Sequence, residues 1–165
     1  MAQRRRHFLR VPTRASIGVL KTVDKVVAVP TLSDTVRAAL NAGHLAHLAT
    51  LEPDGRPQVS IVWVGVQGDE IVSAHLGNHR KLDNVRRDPR VALSMETGGM
   101  DPSGLAHYLV IHGTARITEG GAPQRLQELA SIYLGEGVKF PPMDDPPSGF
   151  LLHISPERVT GVGPW

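Results

Sequence analysis

The chain has 165 residues, 41% of them hydrophobic and 21% charged, with no cysteine. That length suits one domain with a buried core, and the missing thiols exclude disulfides, thiolate nucleophiles and cysteine-held zinc or iron–sulfur centres. The formal charge of +2 hides an asymmetry: residues 1–25 carry seven bases (Arg4, Arg5, Arg6, Arg10, Arg14, Lys21, Lys25) against Asp24 alone, and the remainder is net acidic.

A net-acidic body is not a nucleic-acid surface on charge, so nucleic acid is not an expected partner. Residues 1–30 read as a basic, poorly ordered extension, with contact to an anionic partner as the alternative. No uninterrupted apolar segment follows the arginines, so the arm does not read as a secretory signal. The central apolar run, Ile61 to Val66, falls far short of the about 20 residues a bilayer span needs. No membrane contact is expected, and the cytoplasm is the default compartment.

Residues 31–165 read as the folded domain. Thr31 to Asp34 resembles a capping box, followed by Val36, Ala39 and Leu40 at helical spacing and a stop at Gly43. His44 to Leu51 reads as a strand, and Glu52 to Pro57 as a turn built on Pro53 and Asp54-Gly55. Gln58 to Val66 predicts a second strand, Gln67 to Asp69 a turn, and Glu70 to Leu76 a third, together a three-stranded meander. A helix is predicted from Asn78 to Arg87, ended by Pro89. Val91 to Glu96 predicts a strand, 97–106 a glycine-rich loop, and Tyr108 to Thr118 a long strand with a bulge at Gly113. Pro123 opens a helix with an apolar stripe of Leu126, Leu129, Ala130 and Tyr133. A proline-rich loop, 140–149, leads to one or two last strands over Phe150 to Val162. Strands dominate without regular βα alternation, which predicts a small antiparallel barrel carrying two or three helices.

Phosphate-loop, nucleophile-elbow and dinucleotide motifs are absent. His44 and His47 lie on opposite faces of a strand, as do His107 and His112 if theirs is regular, so no protein-built metal site is expected. One segment carries tension. His79, Arg80 and Lys81 place basic side chains where the helix dipole favours acids. A bound anion resolves the conflict, because free N–H groups, the dipole and these bases then act together; side chains pointing to water resolve it equally well. In the preceding strand, Gln58 and Ser60 share one face, opposite Val59, Ile61 and Trp63. Polar and backbone groups there can meet the edge of a planar heterocycle while apolar side chains cover its face. Trp63 reads either as such a cover or as core packing.

Three segments together, His44 to Thr50, Pro53-Asp-Gly-Arg-Pro-Gln-Val-Ser60, and Arg80 to Ala92 with its Lys81, Asn84 and Arg86-Arg-Asp-Pro-Arg90, resemble the pyridoxamine 5′-phosphate oxidase-like superfamily. Within it, they are similar to the flavin/deazaflavin oxidoreductases of the coenzyme F420-dependent branch. The resemblance spans residues 33–162. It implies a homodimeric split antiparallel β-barrel of the FMN-binding type, with two cofactor sites at the subunit interface. By position, Pro57, Gln58, Val59, Ser60, Ile61 and Val62 are expected along the ring edge. Ala74 and His75 are expected beside the ribityl chain, and His79, Arg80, Lys81 and Asn84 at the phosphate. The implied function is an oxidoreductase passing hydride from reduced F420 to a small organic acceptor. The cofactor supplies the hard chemistry, with His75 and His79 as candidate proton donors. The alternatives are an FMN-dependent oxidase or reductase, a cofactor carrier without turnover, and nucleic-acid binding through the arm. The loop 97–106 and Gly163 to Trp165 are expected either to close a partner's site or, for Trp165, to pack on the barrel.

Overall fold

A computed structural model describes residues 32–165; the expectations for the arm and for Thr31 lie outside the described residues. The elements run α1 (Asp34–Leu40), β1 (Ala46–Leu51), β2 (Pro57–Val62), β3 (Gly65–Gln67), β4 (Glu70–His75), α2 (Arg80–Arg87), β5 (Arg90–Met100), β6 (Ala106–Glu119), α3 (Ala122–Tyr133) and β7 (Phe150–Val162). The strands form one seven-stranded sheet in the order β2-β1-β5-β6-β7-β4-β3. Every pairing in it is antiparallel.

The two edge strands, β2 and β3, are joined by Trp63 and Val64 alone. With about 3.8 Å between successive Cα atoms, Val62 and Gly65 stay within about 11 Å. The sheet therefore curls until its edges meet without pairing, which makes it the expected mainly-β split barrel. Its interior holds Leu48, Leu93, Leu109, Ile111, Ile71, Leu152 and Ile154, sealed by Val36 and Leu40 of α1 and Leu82 and Val85 of α2. A second apolar cluster sits outside it, where Ala122 and Leu126 of α3 cover Ala74 of β4. Strand β4 is thus buried on both faces and shows no alternation.

Three expectations are corrected. The predicted strand Gln58 to Val66 breaks at Trp63–Val64, and its halves join opposite edges of the sheet. No three-stranded meander forms, because β4 pairs with β3 and β7 and not with β2. The predicted loop 97–106 is half strand, with only 101–105 left as the turn between β5 and β6. Asp101 closes a tight turn by accepting from the N–H groups of Ser103 and Leu105 at 2.8 and 2.9 Å, and Gly98 and Gly99, with φ of 72° and 86°, absorb the register shift between Glu96 and Met100. The cap of α1 is Ser33, whose Oγ accepts from the Val36 N–H at 3.3 Å. The bulge at Gly113 is present: the β6–β7 register shifts there, and a Cβ at Gly113 would lie 2.2 Å from the Ser155 carbonyl oxygen.

Candidate functional site

The barrel split opens as a cleft of about 230 Å³. Its walls are Ile61, Val62 and Trp63 at the end of β2, and Ser73, Ala74 and His75 of β4; Lys81, Leu126 and Phe140 complete the lining. The wall strands are not neighbours in the sheet. They meet because the edges curl together, and α2 follows β4 closely enough to put Lys81 at the same opening.

Lys81 is half-buried. No carboxylate lies within 4.0 Å of it among the described residues. Burial holds its pKa below the usual lysine value. It stands in the first turn of α2, where the N-cap His79 makes no side-chain capping bond. The N–H groups of Arg80 and Lys81 are among those that a helix start leaves without intrahelical acceptors. The dipole is only partly answered within the chain: Asp83 sits in the same turn, where its Oδ1 accepts from Asn78 Nδ2 at 2.9 Å and from Arg86 Nη1 at 2.9 Å. Opposite, His75 is 8% exposed. Its Nε2 lies 3.3 Å from the Ser73 Oγ, and the His79 ring stands edge-on to it at 6.0 Å. Burial first, then the positive charges of Lys81 and His79, press its pKa down to about 3. His75 is therefore neutral at physiological pH and is not an imidazolium acid.

Of the twelve residues expected in the site, Ile61, Val62, Ala74, His75 and Lys81 line this cleft. His79 is exposed beside it. Arg80 turns away, its Nη1 3.4 Å from Glu52 Oε1, into a separate concavity that also includes Pro57. Val59 lies on the exposed face of β2. Gln58, Ser60 and Asn84 belong to a hydrogen-bond chain. Asn84 Nδ2 donates to Thr50 Oγ1 at 3.0 Å, Thr50 Oγ1 to Gln58 Oε1 at 2.9 Å, and Gln58 Nε2 to Ser60 Oγ at 2.9 Å. Asn84 is 1% exposed, so its amide fastens α2 to β1 and β2.

Trp63 packs in the fold and also borders the cleft. It stacks on Tyr133 at 5.1 Å and 13°, packs against Phe140, and still lines the cleft. Ser73, Leu126 and Phe140 were not foreseen as site residues. Ser73 was accessible to period-2 reasoning, being two residues before His75 on a strand; Phe140 sits in a loop and carries no periodic signal. Trp165 packs on its own barrel, where its Nε1 donates to the Tyr108 carbonyl at 3.1 Å. Among the described residues, no group of three or more His, Asp or Glu side chains is placed to hold a metal ion, and no helix is long and apolar enough to cross a membrane.

The family model described as pyridoxamine 5′-phosphate oxidase matches residues 32–163. None of the curated proteins is similar to this chain. Among solved structures, one described as an F420 reductase is 26% identical with a TM-score of 0.59, covering 75% of this chain and 94% of its own. A conserved hypothetical protein from Mycobacterium tuberculosis is 25% identical with a TM-score of 0.62, covering 81% and 86%. A putative pyridoxamine 5′-phosphate oxidase from Listeria innocua is 23% identical with a TM-score of 0.57, covering 78% and 96%, and shows likeness of fold.

Proposed function

The chain belongs to the pyridoxamine 5′-phosphate oxidase family, and on that premise we propose that its cleft binds coenzyme F420 and that the protein transfers hydride from the reduced deazaflavin to a small organic acceptor. The observation that carries this reading is Lys81: a half-buried cation without a carboxylate partner among the described residues, at a helix start whose N-cap makes no side-chain capping bond, opening on a cleft of mixed apolar and polar lining. The residues present fit such a group. Ile61, Val62, Ala74 and Leu126 offer apolar faces to a flat ring, and Ser73 and His75 offer polar atoms to its edge. Lys81 with the first N–H groups of α2 offers a seat for a phosphate. Support for F420 over FMN comes from the resemblance of the Pro53–Ser60 and Arg80–Ala92 segments and from the F420 reductase at 26% identity.

When bound, the cofactor supplies two-electron hydride transfer. The chain's own part is binding, orientation and exclusion of water. Lys81 anchors the anionic end, and the two β-walls fix the plane of the ring. Trp63, held by its stack on Tyr133, keeps one end of the slot dry. A cleft of about 230 Å³ is smaller than a typical site for a ligand of this size, and β2 leaves Val59 and Ile61 58% and 53% exposed beside it. A second copy laid against β2 would cover those side chains and supply the missing wall, giving a homodimer with sites at its interface.

Absorbance tests the reaction: reduced F420 is mixed with the protein and a panel of unsaturated and quinone-like acceptors. Protein-dependent oxidation with at least one acceptor is expected. Binding without oxidation by any of them would make the protein a carrier, and turnover with FMN alone would move it to the flavin enzymes.

A further inference from the structure

Ser73 and His75 are two apart on β4 and share a face of that strand. Both are buried, at 1% and 8% exposure, and both line the cleft. The Ser73 Oγ lies 3.3 Å from His75 Nε2. The other ring nitrogen, Nδ1, hydrogen-bonds to no protein group among the described residues, yet it is not one of the fully enclosed orphan atoms. His75 lines the cleft, so the cleft is open space within reach of this nitrogen. The basic groups facing the ring are Lys81 and His79, with no acid among them.

A neutral imidazole carries one proton, and its position decides what the cleft offers. Lys81 makes this end of the slot a place for oxygen-rich, electron-rich ligand groups. Such a group needs donors, and a ring with its lone pair facing the cleft would repel it. A serine hydroxyl donates and accepts equally well, so it can take either side of the bond to Nε2.

We infer that Ser73 donates its hydroxyl proton to His75 Nε2 and thereby fixes the Nδ1–H tautomer, making His75 an uncharged hydrogen-bond donor that selects ligands presenting a carbonyl or phenolate-type oxygen at this point of the cleft. His75 is the specificity-determining residue and Ser73 its positioning residue. The pair is a second anchor beside Lys81. Lys81 answers formal charge, whereas His75 answers the acceptor pattern of an uncharged edge. The tautomer assignment rests on the reading of the cleft as a seat for oxygen-rich groups beside Lys81, and it is observable in the protein without ligand.

The test is ¹⁵N NMR of the ring nitrogens in histidine-labelled full-length protein without ligand, followed by titration with F420 and with FMN. His75 is expected to show a protonated Nδ1 and an unprotonated Nε2 from pH 8 to about pH 5. Ser73→Ala is expected to mix the tautomers and to weaken F420 binding several-fold. His75→Asn, which can place an amide donor near the Nδ1 position, should retain more affinity than His75→Leu. An unprotonated Nδ1 in the wild-type protein overturns the proposal and needs no variant to fold. Equal affinity of the Asn and Leu variants overturns it as well. If neither F420 nor FMN binds while the Nδ1–H tautomer is found, the cofactor reading fails and the tautomer assignment stands.

Discussion

Arg80 and Lys81 are consecutive in the chain and serve different cavities: Lys81 lines the cleft with His75, whereas Arg80 Nη1 lies 3.4 Å from Glu52 Oε1 in a separate concavity. The helix turns by about 100° per residue, so neighbours on it cannot share a direction. Only one of the two bases is therefore placed to meet an anion in the cleft. Lys81→Ala should weaken cofactor binding about tenfold or more, the scale of a charge-assisted hydrogen bond. Arg80→Ala, on an exposed arginine, should change it by less than about threefold. Isothermal titration of the two variants checks the contrast; equal losses would mean that both bases reach the ligand.

Asn84 makes a different prediction. Its amide is buried and bonded to Thr50, which continues to Gln58 and Ser60. Asn84→Ala leaves a buried hydroxyl short of a partner and should cost about 1–3 kcal/mol. For a domain of this size that lowers Tm by roughly 2–4 °C per kcal/mol. Thermal unfolding measures it. A large loss of cofactor affinity with unchanged Tm would instead make Asn84 a direct ligand contact.

Much of this arrangement is legible in the residues themselves. The β-branched run in β2, the turn chemistry of Asp54-Gly55 and the helix stop before Pro89 are local signals, and each element they predicted is present. The split at Trp63–Val64 was not legible. Nothing in that apolar run marks a change of sheet edge, because the chain there stays extended while its pairing partner changes from β1 to β4. The meander expectation failed for that reason. In the site, the dipole conflict at His79 to Lys81 points to the helix end that borders the cleft but leaves out Asp83, and it does not separate Lys81 from Arg80. Phe140 reaches the cleft from a loop whose course depends on tertiary contacts, such as its own N–H donating to Gln127 Oε1 at 2.9 Å.

The neutral His75 has a consequence for stability. Its folded-state pKa is about 3 against 6.5 for the free side chain. Between those values the unfolded chain binds the extra proton, so acid favours unfolding. The contribution of His75 is fully present above about pH 6.5 and is lost as pH falls toward 3. His75→Gln should flatten the fall in stability over that window, measured by urea unfolding at several pH values. An unchanged pH slope would mean that the ring is protonated in the folded protein.

The two tryptophans stand in separate surroundings. Trp63 lines the cleft, and Trp165 is bonded to the Tyr108 carbonyl. Cofactor binding should quench Trp63 alone. In a Trp63→Phe protein the binding-induced change in emission should vanish while calorimetric binding persists. A signal that follows Trp165 instead would place the ligand elsewhere.

The central claim is tested most directly by titrating the Trp165→Phe protein with F420 and, separately, with FMN, following Trp63 emission. Saturable quenching at one ligand per chain, tighter for F420 and weakened by Lys81→Ala, is the expected result. Failure of both compounds to quench Trp63, or affinity indifferent to the loss of Lys81, would contradict the assignment of the cleft.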